Sequence, residues 1–346
     1  MSKALIAMSG GVDSSVAAHL ILQQGIDCIG ATMLLCGDLA PGGGAQDAAA
    51  VAERLGISFH VFDYTALFRE KVVEEFICCY EQGGTPNPCM YCNRHLKFDA
   101  LLQEALKLGC SHVVTGHYAR IDKDENTGRY LLKKAADTAK DQSYFLSCLT
   151  QHQLAHTLFP LGAMTKEQVR AVAETEGFVT AKKKDSQDIC FIPDGDYRSF
   201  LERYTGKAYP PGDYLDLGGK VVGKHSGAVG YTIGQRKGLG IALGEPVYVC
   251  SKDMDANTVT VGPDAALFSK ELLATDWNWI AIESLTEPIR CKARVRYRHT
   301  EQPATVYPEE NGIARVEFDE PQRAITPGQT VVLYDGDTVL GGGTIL

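Results

Sequence analysis

The chain is predicted to be an α/β protein, with a parallel sheet in its N-terminal half and small β domains after it. Three observations predict this. Strand and helix patterns alternate through residues 1–115, and a run of small residues, Ser9-Gly10-Gly11-Val12-Asp13-Ser14-Ser15, joins the first strand to the first helix. The character of the chain then changes at Tyr209-Pro210-Pro211-Gly212. Apolar segments at 4–8, 29–35, 57–62 and 112–115 read as strands, and 13–24, 45–55, 65–81 and 94–108 between them as helices. Strands separated by helices at this spacing pair in parallel, with helices on both faces. The Gly-rich stretch 37–44 reads as a mobile loop at the carboxyl edge of the sheet. A further helix at 165–176 opens with Thr165 and Gln168, the form of a capping box. Beyond 209, short strand patterns are punctuated by turns such as Asn311-Gly312 and Asp335-Gly336-Asp337. The expected division is 1–208, 209–275 and 276–346.

A chain of 346 residues has room for two or three domains, each with its own core. No apolar run approaches the ~18 residues of a membrane span. Lys3 precedes only a short apolar stretch that the glycines cut off, so no signal peptide is expected and the chain reads as cytoplasmic. Eleven cysteines, an odd count, then read as reduced thiols. A net charge of −9 argues against bulk attraction to nucleic acid, so an RNA partner would need local basic patches.

In the run 9–15, Ser9, Gly10 and Gly11 let backbone N–H groups crowd around an anion. The helix that follows adds unpaired donors and the positive end of its dipole, and Ser9, Ser14 and Ser15 add hydroxyls. Such a nest suits a pyrophosphate; the plainer alternative is a glycine turn. Ligands of such sheets bind outside the carboxyl ends of the strands, where this run lies. No G-x-x-x-x-G-K-[ST] occurs; the nearest approach, 218–225, has His225 in place of the hydroxyl and reads as a turn.

Cys89-Met90-Tyr91-Cys92 follows Thr85-Pro86-Asn87-Pro88 and precedes a helix that Asn93 could cap. Thiols three apart at a helix start point the same way, and the dipole would lower their pKa from ~8.5 toward ~3.5–7.5. A third thiol, Cys190, follows Asp185-Ser186-Gln187-Asp188-Ile189. One C-x-x-C is too little for a structural zinc site. Thiol or persulfide chemistry, and a cluster held by three cysteines with one open iron, both stay open. Cys28, Cys36, Cys78, Cys79, Cys110, Cys148, Cys250 and Cys291 read as inert core residues. The segment 290–298 alternates strictly, so Arg290, Lys292, Arg294, Arg296 and Arg298 would share one strand face while Cys291, Ala293, Val295 and Tyr297 turn inward. A phosphate backbone would relieve the repulsion among five cations; a solvated strand face is the plain alternative. The lysines at 182–184 and Arg236-Lys237 would add to the patch.

The stretches SGGVDSSVAA, TPNPCMYCNRHLKF, VTGHYAR, KDQSYFLS, KKKDSQDICFI and YTIGQRKGLGI, with RVRYRH and Pro327-Gly328-Gln329, resemble one family in matching order over nearly the whole chain. It is the bacterial tRNA-specific 2-thiouridylases of the MnmA type, in the PP-loop superfamily of ATP pyrophosphatases. The resemblance implies an adenine nucleotide α-hydrolase-like PP-loop domain, a small central β-rich adaptor and a C-terminal β-barrel-like domain that binds tRNA. It implies that ATP, with Mg2+, activates the C2 oxygen of a wobble uridine as an adenylate, and that sulfur from a cysteine persulfide replaces that oxygen. A cysteine desulfurase or sulfur-relay protein would supply the sulfur.

By the same resemblance Cys190 carries the persulfide and Cys92 is its partner thiol. Ser9, Gly10, Gly11, Val12, Asp13, Ser14 and Ser15 bind the ATP phosphates, and Met33 and Gly116 border the adenine. Asp13 has two readings, placing magnesium or stabilising the helix start. Asn87, Pro88 and Cys89 lie along the target base. His117, Lys140, Asp141, Gln142, Arg296, Tyr297 and Gln329 contact tRNA, joined by Arg294 and Arg298 of the basic segment. One departure matters: many members have Asp where this chain has Cys89. Cys89, Cys92 and Cys190 instead match the set with which cluster-bearing thiolases hold [4Fe–4S], leaving one iron free for sulfide. Two other classes are an amide ligase of the same fold using ammonia, which leaves the three thiols without a task, and a non-catalytic RNA-binding protein, against which the intact loop and thiols argue.

Overall fold

A computed structural model describes residues 3–39, 44–181, 183 and 189–346. Its N-terminal sheet consists of β1 (Lys3–Ala7), β2 (Asp27–Leu34), β3 (Ser58–Asp63), β4 (His112–Val114) and β7 (Thr157–Leu158), ordered β3-β2-β1-β4-β7 and parallel throughout. Successive side chains of β1 enter opposite cores. Ala4 and Ile6 pack with Val16, Ala17 and Val51, while Leu5 packs with Leu101, Leu102 and Val113 on the other face. A strand covered on both sides must be apolar at every position, which is why these strands read as continuous runs. The two-residue β7 is too short to leave a pattern.

The helices Val12–Gln23, Gly44–Leu55, 65–81 and Lys166–Thr175 form where expected, and Thr165 and Gln168 make both halves of their capping box. In the glycine-rich stretch a short turn spans Gly37–Leu39 and a helix starts at Gly44; 40–43 fall outside the described residues. The cysteine helix differs from expectation. It runs over 88–107, starting at Pro88 rather than near 94. Proline at the first helical position has its φ set and gives up only an N–H that would be unpaired anyway. Asn93 is therefore no cap: it lies buried inside the helix and donates from Nδ2 to the Phe145 carbonyl at 2.9 Å. Cys89 and Cys92 fall in the first turns.

The strand order reverses between β1 and β4, so the loop after β1 and the segment after β4 meet at the carboxyl edge. Gly116 is the point of contact: a Cβ there would stand 2.7 Å from the Asp13 carbonyl carbon and the Ser14 nitrogen.

The middle sheet contains β8 (Gly212–Leu215), β9 (Val221–His225), β10 (Tyr248–Asp253) and β11 (Thr258–Gly262), ordered β10-β11-β8-β9. The phosphate-loop look-alike at 218–225 is the turn and second strand of the β8–β9 hairpin. Ahead of it, the helix Tyr197–Thr205 packs Phe200 and Leu201 against Phe76 and Phe191 of the N-terminal body.

At the C-terminus, β12 (Phe268–Trp279), β13 (Ile289–Arg294), β14 (Gln302–Pro308), β15 (Ala314–Arg323), β16 (Thr330–Asp335) and β17 (Thr338–Ile345) pair in the order β12-β15-β14-β13-β16-β17. Pairing of β12 with β17 closes them into a six-stranded barrel, and the expected 275/276 boundary lies inside β12. The hairpin β5 (Arg120–Lys123) and β6 (Tyr130–Lys133) has no counterpart in the sequence reading. It leaves the N-terminal body and adds to β17, with Lys133 opposite Thr338 and Arg120 bonded to Asp337 at 2.7 Å. Among the described residues no helix is long and apolar enough to cross a membrane.

Candidate active site

The loop after β1 is built for an anion. Gly11 precedes the helix Val12–Gln23 in an extended conformation (φ −106°, ψ 164°), and no side chain caps the helix. Gly10 has φ +69°, and a Cβ there would lie 2.2 Å from the Gly44 carbonyl oxygen, so only glycine fits. The hydroxyls organise the loop from within. Ser14 Oγ accepts from the Ser9 N–H at 3.2 Å and donates to the Gly11 carbonyl at 3.1 Å, while Ser15 Oγ donates to the same carbonyl at 2.9 Å. Val12 is buried in the core beneath.

Two lysines serve this loop that sequence reasoning assigned elsewhere or missed. Lys183 donates to the Gly10 carbonyl at 3.0 Å and pairs with Asp47 at 2.7 Å. It was expected in an RNA patch; 182 and 184 lie outside the described residues. Lys166, buried, grips both Asp13 oxygens at 2.7 and 2.8 Å, and the Tyr118 hydroxyl donates to one of them at 2.7 Å. Asp13 thus stands in the first turn of the helix with both carboxylate oxygens already paired. Met33, near the carboxyl end of β2, is half-buried and opposite Phe62.

Beside the loop stand the thiols. Cys92 is buried among Phe76, Leu96 and Phe191, and burial pushes its pKa up to about 11. Cys89 is exposed at the mouth of the site, yet loss of water around its sulfur raises its pKa too. The lowering expected from the helix dipole is thus reversed at both, because desolvation of a thiolate outweighs the partial charge of a helix end. The fold brings Cys190 into the same field: its charge opposes ionisation of both Cys89 and Cys92. Lys97, two helical turns after Cys89, pulls the other way on all three thiols. A lysine on the cysteine helix was the signal that could have revealed it.

Cys36 corrects another expectation. It is a half-buried thiol rather than a core one: it follows β2, and its Sγ lies 3.8 Å from the Cys190 carbonyl oxygen. Cys190 nearby lowers the Cys36 pKa, while Cys36 and burial raise that of Cys190. No three Cys, His, Asp or Glu side chains converge as a metal-ligand set among the described residues. Cys92 is sunk in the aromatic cluster, so among the described residues Cys89, Cys92 and Cys190 present no convergent ligand set for an iron–sulfur cluster. With Asp13 held by Lys166, the described residues gather no carboxylate set for magnesium either.

His117 links thiols and loop. Its Nδ1 is 2.7 Å from Thr115 Oγ1, its ring lies against Phe98 and Phe159, and burial, reinforced by Lys97, holds its pKa well below the ordinary value. It is a neutral group and not a cation for phosphate. Gln329, expected on tRNA, braces the cysteine loop by donating from Nε2 to the Thr85 carbonyl at 2.7 Å, while Thr85 N–H donates to the Pro327 carbonyl at 2.8 Å. Asn87, with Tyr91, Arg94, Asp276 and Asn278, lines a narrow cleft between the cysteine helix and the barrel. Pro88, beside it, is buried. Arg94 clasps Asp276 across that cleft through both guanidinium ends, at 2.5 and 3.2 Å.

The basic segment alternates as expected only in part: Cys291, Ala293 and Val295 are buried and Arg290 and Lys292 exposed, but the strand ends at Arg294 and the five cations do not share one face. Arg290 pairs with Asp319. Arg294 turns back onto the His299 and Tyr297 carbonyls. Arg296 donates to the carbonyls of Ile233 and Ala324 at 3.1 and 3.0 Å and to Thr326 Oγ1, tying middle domain to barrel. Asp141 is likewise internal: buried, it accepts from Ala135 N–H, Ser143 N–H and the Ser143 hydroxyl. Gln142 Oε1 accepts from the Tyr118 N–H at 2.9 Å, and the Tyr297 ring packs on Phe145 at 4.3 Å. Lys140 is half-buried, and Lys292, Arg298, Arg236 and Lys237 are exposed.

A phosphate-binding α/β domain bearing thiols at its sheet edge, followed by two β domains, is the class that fold and site define. Residues 2–194 match the family described as tRNA methyl transferase HUP domain, 198–263 its PRC-barrel domain, and 269–345 the aminomethyltransferase β-barrel domain. The chain belongs to the tRNA-specific 2-thiouridylase (MnmA) family. It is 50% identical over 354 residues to the tRNA-specific 2-thiouridylase MnmA of Acetivibrio thermocellus, covering 99% of each chain. To the protein of the same name from Clostridioides difficile it is 48% identical, over 99% of this chain and 98% of that one. Among solved structures it is similar to the U34-tRNA thiolase NcsA from Methanococcus maripaludis with its [4Fe-4S] cluster. There it is 18% identical with TM-score 0.37 over 59% of this chain and 67% of that one, a likeness too low to carry a cofactor across.

Proposed function

We propose that the chain is an ATP-dependent tRNA 2-thiouridylase that activates uridine C2 with the loop 9–15 and delivers sulfur from a persulfide on Cys190. The observation that carries this is the continuity of the site. Gly116 packs on the Asp13–Ser14 backbone of the nest, His117 follows it against Phe98, and the neighbouring Lys97 acts on His117 and on Cys89, Cys92 and Cys190. ATP phosphates would rest on the open N–H groups of the helix Val12–Gln23, with Lys183 adding a positive charge. A uridine oxygen attacking the α-phosphate expels pyrophosphate and leaves the base as an adenylate. AMP is a far better leaving group than the original oxygen, so one hard displacement becomes two easier ones.

The outer sulfur of the Cys190 persulfide then attacks C2 and AMP departs. Lys97 favours the anionic sulfur, and neutral His117 next to it can exchange a proton with the departing groups. Cys92, the partner implied by the family, is the buried thiol beneath. A wobble uridine reaches this site by leaving its stack. An amide ligase would leave the gathered thiols without a task.

The test is to incubate the protein with ATP, magnesium, a cysteine desulfurase with cysteine, and unmodified tRNA, and to assay 2-thiouridine and AMP together. Formation of both in equal amounts is expected; AMP without thionucleoside would overturn the reading. Protein freed of iron with a chelator should keep full activity, since no step runs through a cluster.

A further inference from the structure

Four thiols gather at the sulfur-transfer site, and Cys36 contacts the Cys190 backbone, 3.8 Å from Sγ to the carbonyl oxygen. A single apolar cluster holds the arrangement: Cys92 and Phe191 are part of it, and Leu35, Cys36 and Ile189 pack against it. Both chain neighbours of Cys190 are thereby anchored beside Cys36. The Sγ–carbonyl contact sets Cys36 against the Cys190 segment. Cys190 is exposed and Cys36 half-buried, whereas Cys92 lies sealed in the cluster.

We propose that Cys36 is a second resolving thiol for Cys190, closing a Cys36–Cys190 disulfide as 2-thiouridine is released. The role rests on the persulfide reading above. Once AMP has left, the base is joined to the protein as C2–S–S–Cys190. The Cys36 thiolate attacks the Cys190 sulfur, the S–S bond breaks, and its electron pair leaves on the outer sulfur, which becomes the thiocarbonyl of the product. The Cys36 and Cys190 thiols together supply the two electrons that reduce the transferred sulfur, and one disulfide forms per base modified. A dithiol reductant then returns two electrons and two protons by exchange. A Cys36–Cys190 bond is open to such a reductant from solvent. In the reduced enzyme the neighbouring Cys190 lowers the Cys36 pKa, which favours the attacking thiolate.

Two measurements test this. First, the reduced full-length protein is equilibrated in a glutathione redox buffer, quenched with acid, alkylated and peptide-mapped. A Cys36–Cys190 linked peptide is expected, and its loss in Cys36→Ser; Cys190 paired only with Cys92 or glutathione would overturn the proposal. Second, persulfide-loaded enzyme is run through one turnover on tRNA without reductant. Cys36→Ser should slow 2-thiouridine release while leaving AMP formation unchanged, and Cys78→Ser, an exposed thiol elsewhere, should change neither. Release at the wild-type rate in Cys36→Ser overturns the proposal. Wild-type protein that forms the linked peptide but no 2-thiouridine would refute the thiolation reading, and with it the catalytic role of Cys36, while leaving the disulfide itself established.

Discussion

Cys190→Ala should abolish 2-thiolation while ATP-dependent adenylation persists, measured as loss of thionucleoside with AMP–tRNA adduct retained. Such separation follows because Cys190 and the phosphate loop lie on different segments of one edge. His117 makes a pH prediction. Its folded pKa lies well below the ordinary 6.5, so the unfolded chain binds its proton first as pH falls. The stability it contributes is complete above the unfolded pKa and is lost below it. Thermal unfolding followed from about pH 7.5 to about pH 5.5 should show a steeper fall in Tm for wild type than for His117→Gln. At this scale the sequence displays which residues are chemical but not which are neighbours. Cys36 reads as one more small apolar residue until the fold sets it on Cys190. The direction of the pKa shift at Cys92 was equally hidden, because it depends on burial in a cluster with Phe76 and Phe191.

Among the elements, loop 9–11 and the segment 294–298 behave oppositely. Gly10→Ala forces a side chain into the Gly44 carbonyl and into a positive φ, so it should destroy ATP binding, measured by nucleotide titration. The small-residue run announced the need for glycine, which a phosphate nest and a plain turn share; the approach of Gly44 was not legible. Alternation in 290–298, by contrast, was read as a strand, and the strand stops halfway. Arg296 then becomes a tie between domains. Arg296→Ala should cost about 2–3 kcal/mol of unfolding free energy by chemical denaturation, because two carbonyls and a hydroxyl lose a charged donor. Arg298→Ala should leave stability unchanged. Regular patterning reveals where side chains would point if the backbone stayed extended; it does not reveal where the backbone turns.

For the whole molecule, a net charge of −9 means that tRNA must be held by a few exposed cations. Replacing Arg236, Lys237, Lys292 and Arg298 together by Ala should weaken tRNA binding and flatten its salt dependence without lowering Tm, measured by filter binding across salt concentrations. The order of the three domains was legible because the turn at 209–212 and the loss of helical periodicity are local signals. Closure of the barrel and the Gln329 brace were not, since both are contacts between distant segments. The hairpin β5–β6 has the widest consequence. Its Arg120 is bonded to a partner 217 residues further along. As the chain emerges from the ribosome, the activating half therefore exposes two strands whose partner has yet to be made. The last barrel strand acts as a fastening: synthesis of the sulfur-transfer machine is completed by its far end reaching back to claim a piece of its beginning.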